Sequence, residues 1–313
     1  MKKWLYFSAK LFVTFLFFFY FVRKYNFNTV LSQLYVSDHV WLYIAFIMLL
    51  LQIFLMATRW HFISNMIKAN LSISSAVRFM FIGQFFNQIM PSSIGGDAVR
   101  IWMAKQNGNS LGKASISTIL DRIMGLLTYI FVPVLSIWIF SVSLNQNFYA
   151  IESAINVLAV ITIFGILILY LFGGPLGKMI EKIFHLKWIA FFIKELKVTL
   201  FNSETWRVLV LSFLIQLIQV LMLLCIAKSF KIPIPFNVGM ILIPIIFLIS
   251  TIPLSFAGWG LRESTMIMGL GFFNISAINS LSISVSYGLL QILSSLPGIF
   301  LWLQYKGKKS LNE

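Results

Sequence analysis

The feature that most constrains this chain is a series of continuous apolar runs, each about 20 residues long, separated by short polar segments. A helix of that length spans the hydrocarbon of a bilayer, whereas membrane β-strands would show about 10 residues of alternating polarity. Hydrocarbon offers no water to satisfy backbone N–H and C=O groups, so crossing segments must be helices or a closed barrel. We therefore predict an all-α fold, a polytopic membrane helix bundle in which residues 1–313 form a single membrane domain.

Composition argues against a soluble domain. Hydrophobic residues make up 59% of the chain and charged residues 11%, whereas soluble domains are about 45–50% apolar and about 25% charged. The formal net charge of +15 would suggest a nucleic-acid partner in a soluble protein. Here the basic residues lie mostly between the apolar runs, where cytoplasmic loops meet anionic headgroups. We expect membrane lipids as partners and no nucleic acid.

About six full spans are predicted, within residues 4–22, 41–58, 114–140, 151–172, 208–227 and 282–303. With the N-terminus in the cytoplasm, most lysines and arginines fall on the cytoplasmic side, which predicts a multi-pass protein of the cytoplasmic membrane with both termini inside. The basic, amphipathic segment 177–200 is expected to lie as a surface helix on anionic headgroups.

Two apolar stretches, residues 76–90 and 238–252, are too short for a full span. Each ends before a proline, which is followed by a glycine-containing turn and a shorter amphipathic segment (97–104 and 261–270). Short stretches interrupted by proline and glycine predict re-entrant broken hairpins.

The two breaks share a motif, PSSIGGDAVR at residues 91–100 and PLSFAGWGLR at 253–262. Four residue types recur at the same offsets, pairing Pro91 with Pro253, Ser93 with Ser255, Gly96 with Gly258 and Arg100 with Arg262. An odd number of predicted spans separates the hairpins, so they should enter the membrane from opposite sides. This pattern predicts an inverted repeat with halves at about 40–140 and 207–304, an architecture common among transporters.

The residue types at the breaks favour an anionic ligand. Each proline ends a half-helix, and the glycines (Gly95, Gly96 and Gly258) allow the reversal and expose backbone N–H groups. The next half-helix starts there, and its positive dipole end favours an anion such as phosphate. Arg100 and Arg262 lie about one turn further on and can each offer a forked pair of donors.

Acidic and basic residues near the motif complete the candidate site. Asp97 and Glu263 supply negative charge beside the arginines, and Asp121 and Arg122 lie inside the third predicted span. These charges could simply hold the helices together, but an isolated buried ion pair is costly and intramembrane charges are usually functional. The candidate headgroup-binding residues are Arg100, Arg262, Asp97, Glu263, Asp121, Arg122, Ser93 and Ser255, and the hairpin breaks are Pro91, Gly95, Gly96, Pro253 and Gly258. No catalytic residue, metal site or cofactor is predicted.

A pseudo-twofold relation between the halves makes a sharper prediction about pairing. Arg100 should approach Glu263 or Asp121, and Arg262 should approach Asp97.

Three motifs resemble those of the lysylphosphatidylglycerol synthase transmembrane region, also called the flippase-like family, over nearly the whole chain. They are Pro91-x-x-x-Gly-Gly-Asp-x-x-Arg100, Leu120-Asp-Arg-Ile-x-Gly-Leu126 and Pro253-x-x-x-x-Gly-x-x-x-Arg-Glu263. The third motif departs from the family at Ala257 and Trp259, where glycine is frequent. The resemblance implies that the matching charged residues carry the family's headgroup site.

In two-domain relatives this region moves an aminoacylated phosphatidylglycerol across the bilayer, after a separate soluble domain has made the lipid from aminoacyl-tRNA. This chain stops at Glu313, about ten residues past its last predicted span, so the resemblance does not extend to aminoacyltransferase activity. We do not expect an enzyme.

The leading functional expectation is a lipid translocase for an anionic or aminoacylated phospholipid, or for a polyprenyl-phosphate-linked headgroup. A first alternative is an accessory membrane protein that partners a separate lipid- or glycan-modifying enzyme. A second is a transferase that uses a lipid-linked donor, although no His/Asp/Glu constellation in the sequence has metal-ligand spacing.

Overall fold

The computed structural model describes residues 27–90, 95–140, 149–184, 187–252 and 259–310. Within these ranges the chain forms α-helices, which are α1 Phe27–Val36, α2 His39–Met66, α3 Ile73–Ile89, α4 Gly95–Gln106, α5 Leu111–Phe140, α6 Tyr149–Phe184, α7 Lys187–Phe201, α8 Thr205–Ser229, α9 Phe236–Ser250, α10 Leu261–Gly271, α11 Ala277–Ser295 and α12 Pro297–Ser310. The first predicted span, residues 4–22, lies outside the described residues.

The described helices include five segments that are long and apolar enough to cross a bilayer. They are α2, α5, α6 as far as Lys182, α8, and the segment Ala277–Tyr305, which comprises α11 and most of α12. These segments coincide with the second to the sixth predicted spans. The prediction of a polytopic all-α membrane protein is confirmed.

Two pairs of shorter helices occupy the predicted hairpins. With a rise of 1.5 Å per residue, α3 (17 residues) and α9 (15 residues) are about 26 and 22 Å long, less than the roughly 30 Å of hydrocarbon. The helix that follows packs back on each, α4 on α3 and α10 on α9. Five predicted residues, Pro91, Ser93, Pro253, Ser255 and Gly258, lie outside the described residues, and membrane re-entry stays a prediction.

Within the first pair, α3 and α4 approach so closely that only glycine fits at the contact. A Cβ atom added to Gly96 would lie 1.9 Å from the carbonyl oxygen of Gly83. Beside this contact, the N–H of Gly96 donates a hydrogen bond to Oδ1 of Asn87 at 2.8 Å. These two contacts fix the start of α4 against α3.

Several other helix contacts connect the two predicted halves of the chain. Helix α2 packs on α8, α3 packs on α11 and α12, and α9 packs on α5. Each short pair therefore contacts the span that follows the other pair, which is the contact pattern expected of interlocked halves. The repeat boundaries themselves, 40–140 and 207–304, stay predictions.

Candidate functional site

Five charged side chains from three helices meet inside the bundle. We call them the arginine–aspartate cluster, whose members are Arg59 on α2, Asp97 and Arg100 on α4, and Asp121 and Arg122 on α5. Asp97 and Arg100 are three residues apart on the short α4, so they share one helix face, and both pair with charged residues of α5.

Each aspartate of the cluster joins two arginines. Oδ1 of Asp121 lies 2.8 Å from Nε of Arg59, and its Oδ2 lies 3.0 Å from Nη2 of Arg100. Oδ1 of Asp97 lies 3.3 Å from Nη1 of Arg100, and its Oδ2 lies 2.6 Å from Nε of Arg122. The ion pairs therefore form one continuous chain, with Arg59 and Arg122 at its two ends.

The cluster is buried except at one end. Asp121, Arg59 and Arg100 are 2%, 3% and 4% exposed, whereas the side chain of Arg122 is 41% exposed. Three arginines face two aspartates in these ion pairs, so the cluster carries a formal charge of +1. A buried site with excess positive charge and one accessible arginine is suited to an anion.

Arg100 is held in place by neutral neighbours. Its guanidinium carbon lies 4.2 Å from the ring centroid of Trp60, within cation–π range. Its aliphatic stem crosses Gly83, where an added Cβ would lie 2.8 Å from Cγ of Arg100. Within the described part of the chain, Nε of Arg100 is buried without a hydrogen-bond partner. Leaving a buried donor unsatisfied costs about 1–3 kcal/mol, and an incoming acceptor would recover it.

Sequence reasoning missed Arg59, which directly follows the second predicted span, residues 41–58. Helix α2 continues to Met66, so Arg59 lies about two turns inside it, where Nη1 also donates to Oγ of Ser212 on α8 at 3.1 Å. The absence of proline and glycine between Arg59 and Met66 was the signal that the helix continues.

A second group of polar side chains surrounds Arg262, and we call it the arginine–glutamate cluster. Nη2 of Arg262 lies 2.7 Å from Oε1 of Glu263, and Nε donates to Oγ of Ser284 at 3.1 Å. Nη1 of Arg262 lies 3.5 Å from Oε1 of Gln291, and Ser284 donates to Glu263 at 2.9 Å. One arginine balances one glutamate, so this cluster is formally neutral.

Glu263 also caps its own helix. Its Oε2 accepts the N–H of Gly260 at 2.5 Å, so a carboxylate already lies at the positive end of α10. At α4, the N–H of Gly96 is likewise taken by Asn87. The prediction of exposed amides at both half-helix starts is therefore wrong for these two groups, because neighbouring side chains occupy them.

The structure tests the partners predicted for Arg100 and Arg262. Arg100 does approach Asp121, at 3.0 Å, so that prediction is confirmed. Arg262 and Asp97 form no ion pair: among the described residues Arg262 pairs with its neighbour Glu263, and Asp97 pairs with Arg100 and Arg122. The prediction of direct contact between Arg262 and Asp97 is therefore wrong. The sequence placed both arginines on corresponding faces but could not show that each finds a carboxylate within its own half.

The amino-acid sequence matches the family described as the lysylphosphatidylglycerol synthase TM region over residues 7–298. The chain belongs to this family. Both clusters lie within the matched residues. This family member is also 24% identical, over 328 residues, to a UPF0104 membrane protein of Methanocaldococcus jannaschii, an alignment that covers 96% of each chain. No solved structure gives a significant match.

Proposed function

We propose that this member of the family is a lipid translocase that passes an anionic, phosphate-bearing headgroup through the bundle, with the arginine–aspartate cluster as the headgroup site. The observation that carries the proposal is the formal +1 charge of a cluster whose central residues are 2–5% exposed. An uncompensated charge in such a place is costly, and a bound phosphate would neutralise it.

The accessible end of the cluster supports entry of a ligand from that side. Arg122 is partly exposed, and its guanidinium can offer a phosphate two parallel donors. Arg100 follows along the chain of ion pairs and has an unsatisfied Nε. A phosphate that competes with Asp97 for these two arginines would move from an accessible position to a buried one without leaving a positive partner.

The two clusters differ in charge and therefore in role. In the arginine–glutamate cluster, Glu263 neutralises Arg262 and accepts the N–H of Gly260 at the start of α10. This cluster therefore carries no excess positive charge. We therefore assign the phosphate to the arginine–aspartate cluster and a supporting role to the other. The lipid substrate belongs to the class with a phosphate in the headgroup, whether an aminoacylated or anionic phospholipid or a polyprenyl phosphate derivative.

Arg122→Gln tests this function with little risk to folding, because the side chain is 41% exposed. The variant leaves two arginines against two aspartates, so the cluster becomes formally neutral. Losing one charge-assisted hydrogen bond of about 1.5–3 kcal/mol should slow transport of labelled phosphatidylglycerol in proteoliposomes by about 10- to 100-fold.

The matched control is Arg207→Gln. The Arg207 side chain is 45% exposed and paired with Glu204, but it lies outside both clusters. The Arg207→Gln variant should transport the labelled lipid at the wild-type rate. Equal rates for Arg122→Gln and wild type would contradict the proposal, and lipid binding by wild type without any transport would favour an accessory role in lipid or glycan synthesis.

A further inference from the structure

A groove of about 680 Å³ separates the second half of α6 from α7. Three glycines of α6 form one wall, Gly173, Gly174 and Gly177, and charged residues line the groove, Lys178, Glu181, Lys187, Lys194 and Lys197. Four lysines against one glutamate give the lining a formal charge of +3. None of these residues belongs to either charged cluster.

The groove exists because α6 lacks side chains where it faces α7. A Cβ atom added to Gly174 would have nothing within 4 Å, and one added to Gly177 would lie 3.7 Å from the carbonyl oxygen of Ala190 on α7. At one end of the groove, Nζ of Lys197 donates to the carbonyl oxygen of Tyr170 at 2.8 Å and joins the two helices. The open space is therefore bounded by the glycine backbone of α6, by charged side chains of both helices and by apolar side chains of α7.

An exposed apolar stripe on α6 leads into this groove. Its members recur every three or four residues and are 47–64% exposed, namely Val160, Phe164, Leu167 and Leu171. The same spacing continues to Gly174 and Lys178, so the stripe and the groove share one helix face. On α7, Trp188 is 52% exposed, and such tryptophans favour the headgroup level of a membrane.

From this juxtaposition we infer that the groove binds an anionic glycerophospholipid of the adjoining leaflet. Its phosphate lies among the lysines, and its acyl chains follow the apolar stripe of α6. This site goes beyond the proposed translocation site, because it lies between α6 and α7 and shares no residue with the arginine–aspartate cluster. Each lysine at a membrane surface favours binding of an anionic lipid by about fivefold. The groove should therefore bind anionic lipids more tightly than neutral ones.

The test measures lipid occupancy of the full chain in detergent by native mass spectrometry, in the Arg122→Gln background, which leaves the groove intact. Phosphatidylglycerol, phosphatidylcholine and soluble glycerol phosphate are titrated separately. We expect phosphatidylglycerol to bind, phosphatidylcholine to bind at least tenfold more weakly, and glycerol phosphate to fail to saturate because it lacks the acyl contacts.

Two independent variants address charge and space. Lys178→Gln combined with Lys194→Gln should weaken phosphatidylglycerol binding by about 30-fold. Gly174→Leu fills the groove without changing charge and should also prevent binding. The matched controls, Lys182→Gln and Gly165→Leu, lie on α6 outside the groove lining, and Gly165 has the same open space around an added Cβ as Gly174.

Both controls should bind like the parent. Equal binding of phosphatidylglycerol and phosphatidylcholine would overturn the inference, as would unchanged binding by Gly174→Leu, or glycerol phosphate binding as tightly as the lipid. The transport assay on Arg122→Gln reports separately on the proposed function, so failure of one proposal is distinguishable from failure of the other.

Discussion

Asp121 accepts hydrogen bonds from two buried arginines, at 2.8 Å from Arg59 and 3.0 Å from Arg100, and it is itself 2% exposed. Replacing it with asparagine leaves three arginines against one aspartate and raises the formal charge of the cluster from +1 to +2. Removing one partner of a buried ion pair costs about 3–5 kcal/mol. Because asparagine keeps one acceptor oxygen, we expect a loss near the lower end, about 3 kcal/mol.

A double-mutant cycle separates charge imbalance from lost packing. Arg59→Gln combined with Asp121→Asn returns the formal charge to +1 and removes both members of the 2.8 Å pair. The double variant should therefore lose less stability than the sum of the single variants, by about 1–3 kcal/mol. Ser212→Ala is the control, because it removes only the neutral partner of Arg59 and should cost about 1 kcal/mol.

The assay is unfolding of purified protein by SDS titration in mixed micelles, followed by tryptophan fluorescence. The reasoning would be refuted if Asp121→Asn changed the free energy of unfolding by less than about 0.5 kcal/mol, the size of an ordinary surface substitution. Strict additivity in the cycle would also refute it, since residues that share a buried ion pair must be coupled.

Three further outcomes are expected. Gly96→Ala places a Cβ 1.9 Å from the carbonyl oxygen of Gly83 and should cost about 1–3 kcal/mol of unfolding free energy, whereas Gly165→Ala, with open space around the Cβ, should gain about 0.5–1 kcal/mol. Asn87→Asp puts a carboxylate at the start of α4 and makes the region formally neutral, so lipid transport should fall in proteoliposomes while the melting temperature is maintained or rises. Burial raises the pKa of Glu195 on α7 above its ordinary value of 4.5, so ionising it disfavours the folded state. Stability should fall as the pH rises from 4.5 through the raised pKa, and Glu195→Gln should remove this dependence in thermal melts at several pH values.

Local patterns were sufficient for the helices. The positions of the described spans and the two short helix pairs followed from the lengths of apolar runs and from proline and glycine, because these signals act within a few residues. Asp121 was one of the two partners predicted for Arg100, and this pair joins helices that follow one another along the chain, at positions 21 residues apart.

Longer-range contacts were not predictable in this way. Arg59 and Asp121 are 62 residues apart and Arg59 and Ser212 are 153 apart, so their meeting depends on how α2 packs against α5 and α8. Likewise, nothing in the motif showed that Glu263 would bond to the N–H of Gly260 rather than face the other half.

The sequence by itself determined that this chain is a helical membrane protein of its family, with two interrupted apolar stretches followed by arginines. Only the tertiary structure decided that three arginines and two aspartates share one buried cluster. It also decided that Arg262 is neutralised by Glu263, the next residue in the chain. The physical reason is that hydropathy and helix breaks are properties of a segment, whereas the charge balance of a buried site depends on which helices pack together.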